Sequence, residues 1–121
     1  MKQSFPKEEK LKSKKIIDRL FVEGRTFKKF PIRVTYLPVE TLENHQAGFS
    51  VPKRNFKLAV DRNRIKRQLR EAYRLQKHTL AVNNGLKFAL FFTHLGNKKH
   101  DYETLERAMH SLLKRLQDEN H

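Results

Sequence analysis

Apolar side chains recur at helical spacing in two segments near the ends of the chain. Residues 14–23 carry an apolar stripe, with Ser13 as the candidate N-cap and Gly24 as the candidate stop. Residues 102–116 repeat the helical spacing over about four turns, after Asp101 as a candidate N-cap. Both segments are predicted to be helices that pack one face on a core.

Three further segments have patterns typical of strands. Residues 31–37 and 47–51 alternate apolar and polar side chains, whereas residues 86–93 are almost continuously apolar. The polar connection 38–46 predicts that the first two strands form an antiparallel pair, and the third is predicted to be interior. The expected fold is α+β: a single-domain two-layer α/β sandwich with the order α-β-β-(β)-α-β-α.

The segment between the second and third predicted strands is an amphipathic helix with one cationic side. At 100° per residue, an apolar seam about 100° wide forms along residues 62–77. The seam residues are Ile65, Leu69, Ala72 and Tyr73. Polar and cationic residues gather beside the seam: Asn63, Lys66, Arg67, Arg70, Arg74 and Lys77. The segment is therefore predicted to dock on the core and to expose its cations on one side.

Residues 62, 66, 70 and 74 are all cationic and stand four positions apart. Such a like-charge ladder destabilises an isolated helix by a few tenths of a kcal/mol per pair. Phosphates would turn this repulsion into attraction, because arginine binds phosphate oxygens with two parallel hydrogen bonds. The preceding loop adds Lys53 and Arg54. If Phe21 and Tyr36 flank these cations, the rings would stack on bases and the cations would neutralise phosphates. That combination is typical of sites that bind single-stranded nucleic acid.

Composition narrows the class of partner. The 121 residues have a net charge of +14 and contain no cysteine, which predicts a polyanionic partner and excludes disulfides. Residues 1–10 lack the apolar stretch of a signal peptide, and no apolar run is long enough to span a membrane, so we expect a cytoplasmic location and no membrane partner. We expect one RNA-binding domain over residues 1–121, in which residues 1–12 are basic and their order without RNA is open.

Catalytic motifs are absent from the sequence. The six histidines form no H-x-x-x-H pair, and the carboxylates are scattered, so neither a metal site nor a catalytic residue is expected. No preceding helix and tight turn suggest a helix-turn-helix DNA-binding unit. A structural RNA-binding protein, similar to a ribosomal protein or an RNA chaperone, stays open as the alternative function.

The segments G-F-S-V-P-K-R at 48–54 and A-V-D-R-N-R-I-K-R-Q-L-R-E at 59–71 resemble the protein component of bacterial ribonuclease P. That family carries G-x-S-V-x-K-K/R followed by A-V-x-R-N-R-x-K-R-x-x-R-E. The resemblance extends over essentially the whole chain. Two departures are Phe56-Lys57-Leu58, where the family usually has Gly-Asn, and Ile17, where it often has Phe.

The resemblance implies a fold with a left-handed crossover around the Arg-Asn-Arg helix. It implies two RNA partners, a catalytic RNA subunit and the 5′ leader of precursor tRNA, and no protein partner is predicted. It also implies Mg²⁺, bound mainly by the RNA, as the cofactor for 5′-end maturation. The matched residues implied to face RNA are Arg62, Asn63, Arg64, Lys66, Arg67 and Arg70. A leader cleft between this helix and the sheet would be lined by Phe21, Tyr36 and Ser50, with Lys53 nearby.

Overall fold

The computed structural model describes residues 5–80 and 86–119. Its helices and strands follow the predicted order, with three strands before the central helix. They are α1 (Lys14–Glu23), β1 (Arg25–Lys29), β2 (Ile32–Pro38), β3 (Gln46–Ser50), α2 (Ala59–Gln76), β4 (Phe88–His94) and α3 (Tyr102–Glu119). Short 3-10 turns lie at Lys7–Glu9 and Lys77–Thr79. The α+β sandwich is confirmed, and the main layers are the sheet and the helix pair α2 and α3.

The four strands form one sheet in the order β1-β2-β4-β3. β4 pairs antiparallel with β2 and parallel with β3. The prediction that residues 31–37 and 47–51 pair with each other is therefore wrong, because β4 lies between them. β4 is apolar on both faces and suits the interior position, as predicted. Parallel β3 and β4 require a crossover, which α2 supplies; the handedness of that crossover stays a prediction.

The sequence pattern did not reveal the edge strand β1. Phe27 is its only buried residue, and the other four residues are exposed. β1 pairs antiparallel with β2 from Arg25 opposite Tyr36 to Lys29 opposite Ile32. The guanidinium of Arg115 in α3 lies 4.0 Å from the centre of the Phe27 ring and covers it. Burial of a single side chain is enough to anchor an edge strand, but it is too weak a pattern to detect.

The two faces of the sheet have different cover. Side chains at alternate positions of β2 and β4, such as Ile32 and Phe92, pack with α2 and α3 in the larger core. The opposite face carries Leu37, Ala89 and Phe91, and α1 packs on it through Leu20. α1 therefore lies on the opposite side of the sheet from α2.

Predicted caps define both ends of α1 and the start of α3. The Ser13 hydroxyl accepts a hydrogen bond from the Ile16 amide, and Asp101 Oδ1 accepts one from the Thr104 amide at 2.9 Å. α1 ends before Gly24, whose φ of −70° is not left-handed. A Cβ at Gly24 would overlap the Leu20 carbonyl oxygen, so close packing is what requires glycine here.

The N-terminal segment of the described chain docks beside β3. The Leu11 amide donates to the Ala47 carbonyl at 3.0 Å, and Lys10 and Ala47 form a parallel bridge. The Phe5 ring meets the rings of Phe49 and Tyr73 edge to face. These contacts place residues 5–11 along the outer edge of β3.

Candidate nucleic-acid interface

The apolar seam of α2 fixes which of its side chains face solvent. The four predicted seam residues are the four buried residues of the helix: Ile65, Leu69, Ala72 and Tyr73. The predicted phase of α2 is therefore confirmed. The cations beside the seam are held in a fixed direction, because the seam packs into the main core.

The middle of the cationic side is exposed. Asn63, Arg67 and Arg70 are exposed, and Lys66 is half-buried beside the seam. Within the described parts of the chain, none of the three cations in this group has an ion-pair partner. We define the cationic edge of α2 as Asn63, Lys66, Arg67 and Arg70. Its hydrogen-bond donors are available to a polyanion.

Arg62 has a structural role at the start of α2. Its Nη1 donates to the Phe56 carbonyl at 2.7 Å and to the Lys57 carbonyl at 2.8 Å. The N-cap position, Leu58, offers no side-chain cap. Arg62 therefore holds the turn that departs from the family pattern, and part of its guanidinium is already engaged.

The C-terminal end of the ladder is paired within the protein. Arg74 Nε donates to Glu71 Oε2 at 3.0 Å, and Lys77 Nζ lies 2.6 Å from Glu9 Oε1. The hydrogen bond from Arg74 lowers the pKa of the Glu71 carboxyl, and the same contact raises the pKa of Arg74. Two of the predicted cations are thus neutralised by acids, and the helical period of residues 62–77 did not predict either pairing.

The remaining predicted RNA-facing cations flank the cationic edge. Lys53 and Arg54 are exposed in the turn between β3 and α2. Arg64 is exposed on the side of α2 that faces Lys99, His100 and the start of α3. Arg64 and Arg67 line the same cavity, so Arg64 adjoins the cationic edge.

The candidate leader-cleft residues do not come together as predicted. Phe21 is 56% exposed, and its ring meets Phe91 edge to face at 5.2 Å. Ser50 Oγ donates to Thr93 Oγ1 at 3.5 Å on the same face of the sheet as Phe91. Phe21 and Ser50 therefore lie on the α1 side of the sheet, and a cleft between α2 and the sheet is not formed by them.

Tyr36 lies on the opposite face, inside the main core. Its ring is 1% exposed and packs between Phe27 and Phe88. The prediction that Tyr36 lines an open cleft is wrong, because it shares a phase with Ile32 and Val34, which point to the helix pair. Phe91 and Thr93 were missed, although the alternation of β4 puts them opposite Leu90 and Phe92.

Comparisons with known proteins agree with this architecture. A family model described as Ribonuclease P matches residues 5–117. The chain belongs to the ribonuclease P protein family. The ribonuclease P protein component of Porphyromonas gingivalis is 36% identical over 118 residues, covering 91% of this chain and 84% of that protein. That of Caldanaerobacter subterraneus is 33% identical over 109 residues, covering 88% and 87%.

Solved structures of ribonuclease P proteins share the fold. The protein from Staphylococcus aureus superposes with a TM-score of 0.75 at 20% identity, covering 89% of this chain and 94% of that one. The protein from Thermotoga maritima gives 0.74 at 21% identity, covering 88% and 96%. Ribonuclease P proteins thus keep this α+β arrangement at low sequence identity.

The described residues contain no group of three or more His, Asp or Glu side chains placed to hold a metal ion. Within the same residues, no helix is both long and apolar enough to cross a bilayer.

Proposed function

We propose that this protein is the protein subunit of a ribonuclease P ribonucleoprotein, in which RNA performs the cleavage that matures the 5′ end of tRNA. The observation that carries the proposal is the cationic edge of α2. Its residues are held outward by a buried seam and, among the described residues, lack ion-pair partners. Family membership supplies the identity of the RNA.

The proposed role of the cationic edge is to bind the RNA subunit. Asn63, Lys66, Arg67 and Arg70 contact backbone phosphates, and Lys53 and Arg54 extend the contact beyond the helix. Neutralised phosphates repel one another less, so the RNA needs fewer divalent cations. Mg²⁺ is bound mainly by the RNA in this proposal, and the protein contributes no catalytic residue.

The proposed site for the 5′ leader is the α1 side of the sheet. Phe21 offers an exposed ring beside Phe91, and Ser50 and Thr93 add hydroxyl groups on the same face. Bases stack on aromatic rings without regard to sequence, which suits leaders of different sequence. The α1 side therefore supports leader binding through Phe21 and Ser50, without Tyr36.

The test is cleavage of a precursor tRNA by a bacterial ribonuclease P RNA at low Mg²⁺, with and without the protein. We expect protein-dependent cleavage at the mature 5′ end and none by the protein alone. General RNA binding without stimulation would favour a structural RNA-binding protein instead. Cleavage by the RNA-free protein would contradict the proposed division of labour.

A further inference from the structure

A groove runs along α2 beside the cationic edge, on the side of the helix that faces the start of α3. It consists of two adjoining cavities, of about 70 and about 300 Å³, that share Arg64 and Gln68 as walls. Lys99 and His100 close the first cavity, and Tyr102 lines the second. The groove thus lies between α2 and the chain segment that enters α3.

The charges in the groove are unevenly balanced. Asp61 is paired with Lys99 at 3.0 Å, and Glu71 is paired with Arg74. Both acids are therefore neutralised. Arg64 and Arg67 lie between them, and neither has an acidic partner among the described residues. The groove therefore keeps a net positive charge, and these two guanidinium groups are available to bind an anion.

Two polar atoms in the groove walls also lack partners. His100 Nε2 and the Tyr102 hydroxyl are buried and form no hydrogen bond within the described structure. A buried polar group without a partner destabilises a protein, and most such groups are satisfied. Both atoms can donate a hydrogen bond, so an acceptor oxygen in the groove would satisfy them once the two side chains turn toward it.

We propose that this groove is a second phosphate-binding site, which holds the backbone of the RNA subunit against Arg64, Arg67, Gln68, His100 and Tyr102. The inference rests on the proposed function and extends it from α2 to the β4–α3 connection. Arg67 belongs to both the groove and the cationic edge, so one RNA segment can contact both. The proposed leader site lies on the opposite face of the sheet from this groove. We therefore assign the groove to the RNA subunit.

Gln68→Glu tests the groove. The substitution keeps the size of the side chain and puts a negative charge at the wall shared by both cavities. Asn44→Asp, in the exposed loop before β3, makes the same change of net charge at a residue that does not line the groove. Binding to a bacterial ribonuclease P RNA is measured over a series of KCl concentrations for both variants and the parent protein.

We expect Gln68→Glu to weaken RNA binding by about tenfold and to make the log–log salt slope shallower by about one. Asn44→Asp should match the parent protein. Affinity for a single-stranded leader oligonucleotide should be unchanged by Gln68→Glu. If Gln68→Glu binds the RNA subunit like Asn44→Asp, or weakens only the leader oligonucleotide, the proposed groove is overturned.

Tyr102→Phe gives a second test that does not depend on charge. It removes a hydroxyl without a partner in the free protein, so stability should be kept or raised while RNA binding weakens about threefold. Unchanged RNA binding would contradict a role for the hydroxyl. Failure of the parent protein to bind or stimulate the RNA would instead overturn the proposed function, which separates the two hypotheses.

Discussion

The role of each arginine in α2 depends on what its guanidinium already contacts. Arg62 donates to two backbone carbonyls, whereas Arg67, five positions later, is exposed and has no acidic partner among the described residues. The two residues match the same family motif. The motif predicts the same RNA-facing role for both. Their contacts in the structure give Arg62 a structural role and leave Arg67 available to RNA.

Arg62→Ala should therefore destabilise the protein by about 1–3 kcal/mol, because a charged donor is lost from two carbonyls, of which that of Phe56 is partly buried. Arg67→Ala should change stability by no more than about 0.5 kcal/mol. Urea unfolding of both variants measures the difference. Equal midpoints for the two variants would contradict the proposed role of Arg62 in holding the turn.

Buried histidines should make stability depend on pH. Burial lowers the pKa of His94 to about 4, with His100 as a second cause. Burial also lowers the pKa of His45, whose Nδ1 accepts a hydrogen bond from the Phe88 amide. Below about pH 6.5 the unfolded chain binds more protons at these sites, so their contribution is present above that pH and declines toward pH 4.

We expect the free energy of unfolding to fall between pH 7.5 and 5.5, with His94 contributing about 1 kcal/mol of the fall. His94→Leu should reduce this pH dependence, and exposed His110→Asn should not. Unfolding by urea at the two pH values checks the prediction. A His94→Leu variant with the full pH dependence of the parent protein would show that His94 is not its source.

Among the elements, α2 was predictable and β1 was not. α2 has four seam residues at helical spacing, and each is buried as expected. β1 has a single buried residue, Phe27, and its place at the sheet edge depends on pairing with β2. Strand pairing depends on distant segments, so the sequence gives no local signal that β4 separates β2 from β3.

The candidate site also has predictable and unpredictable parts. The outward direction of Lys66, Arg67 and Arg70 followed from the period of α2. The internal pairing of Arg74 with Glu71 did not follow from the helical period, because Glu71 is not among the polar and cationic residues predicted beside the seam. Tyr36 was predicted to flank the cations and, by resemblance, to line a cleft, although its alternation with Val34 places it on the buried face.

The double variant Lys66→Ala/Arg67→Ala should weaken binding to the RNA subunit without unfolding the protein. Removing two phosphate contacts should make the log–log salt slope shallower by about two. The matched control is Arg107→Ala/Lys114→Ala, two exposed cations of α3. Binding measured over a salt series would contradict the cationic edge if both double variants lost the same affinity.

In the whole molecule, the proposed contacts with the RNA subunit and with the 5′ leader lie on opposite sides of the sheet. The cationic edge belongs to α2, which packs on the main core, and Phe21 belongs to α1, which packs on the other face. A rigid sheet with core packing on both faces separates them. Each contact should therefore be lost without the other.

Phe21→Ala should weaken binding of precursor tRNA with a single-stranded leader by about 1–3 kcal/mol and leave mature tRNA unaffected. Combined with Lys66→Ala/Arg67→Ala, its effect on holoenzyme binding should add to within about 0.5 kcal/mol. Binding of the two tRNA forms to reconstituted holoenzymes checks both statements. Equal losses for leader-bearing and mature tRNA would contradict leader stacking on Phe21.

The edges of the sheet have a consequence for how copies of the chain behave together. An unpaired strand edge invites a strand from another molecule, which is a route to aggregation. β1 presents Arg25, Lys28 and Lys29 in a five-residue strand, and residues 10 and 11 already pair with part of the outer edge of β3. Strand exchange between copies is thus opposed at both edges, and we expect the free protein to stay monodisperse without RNA.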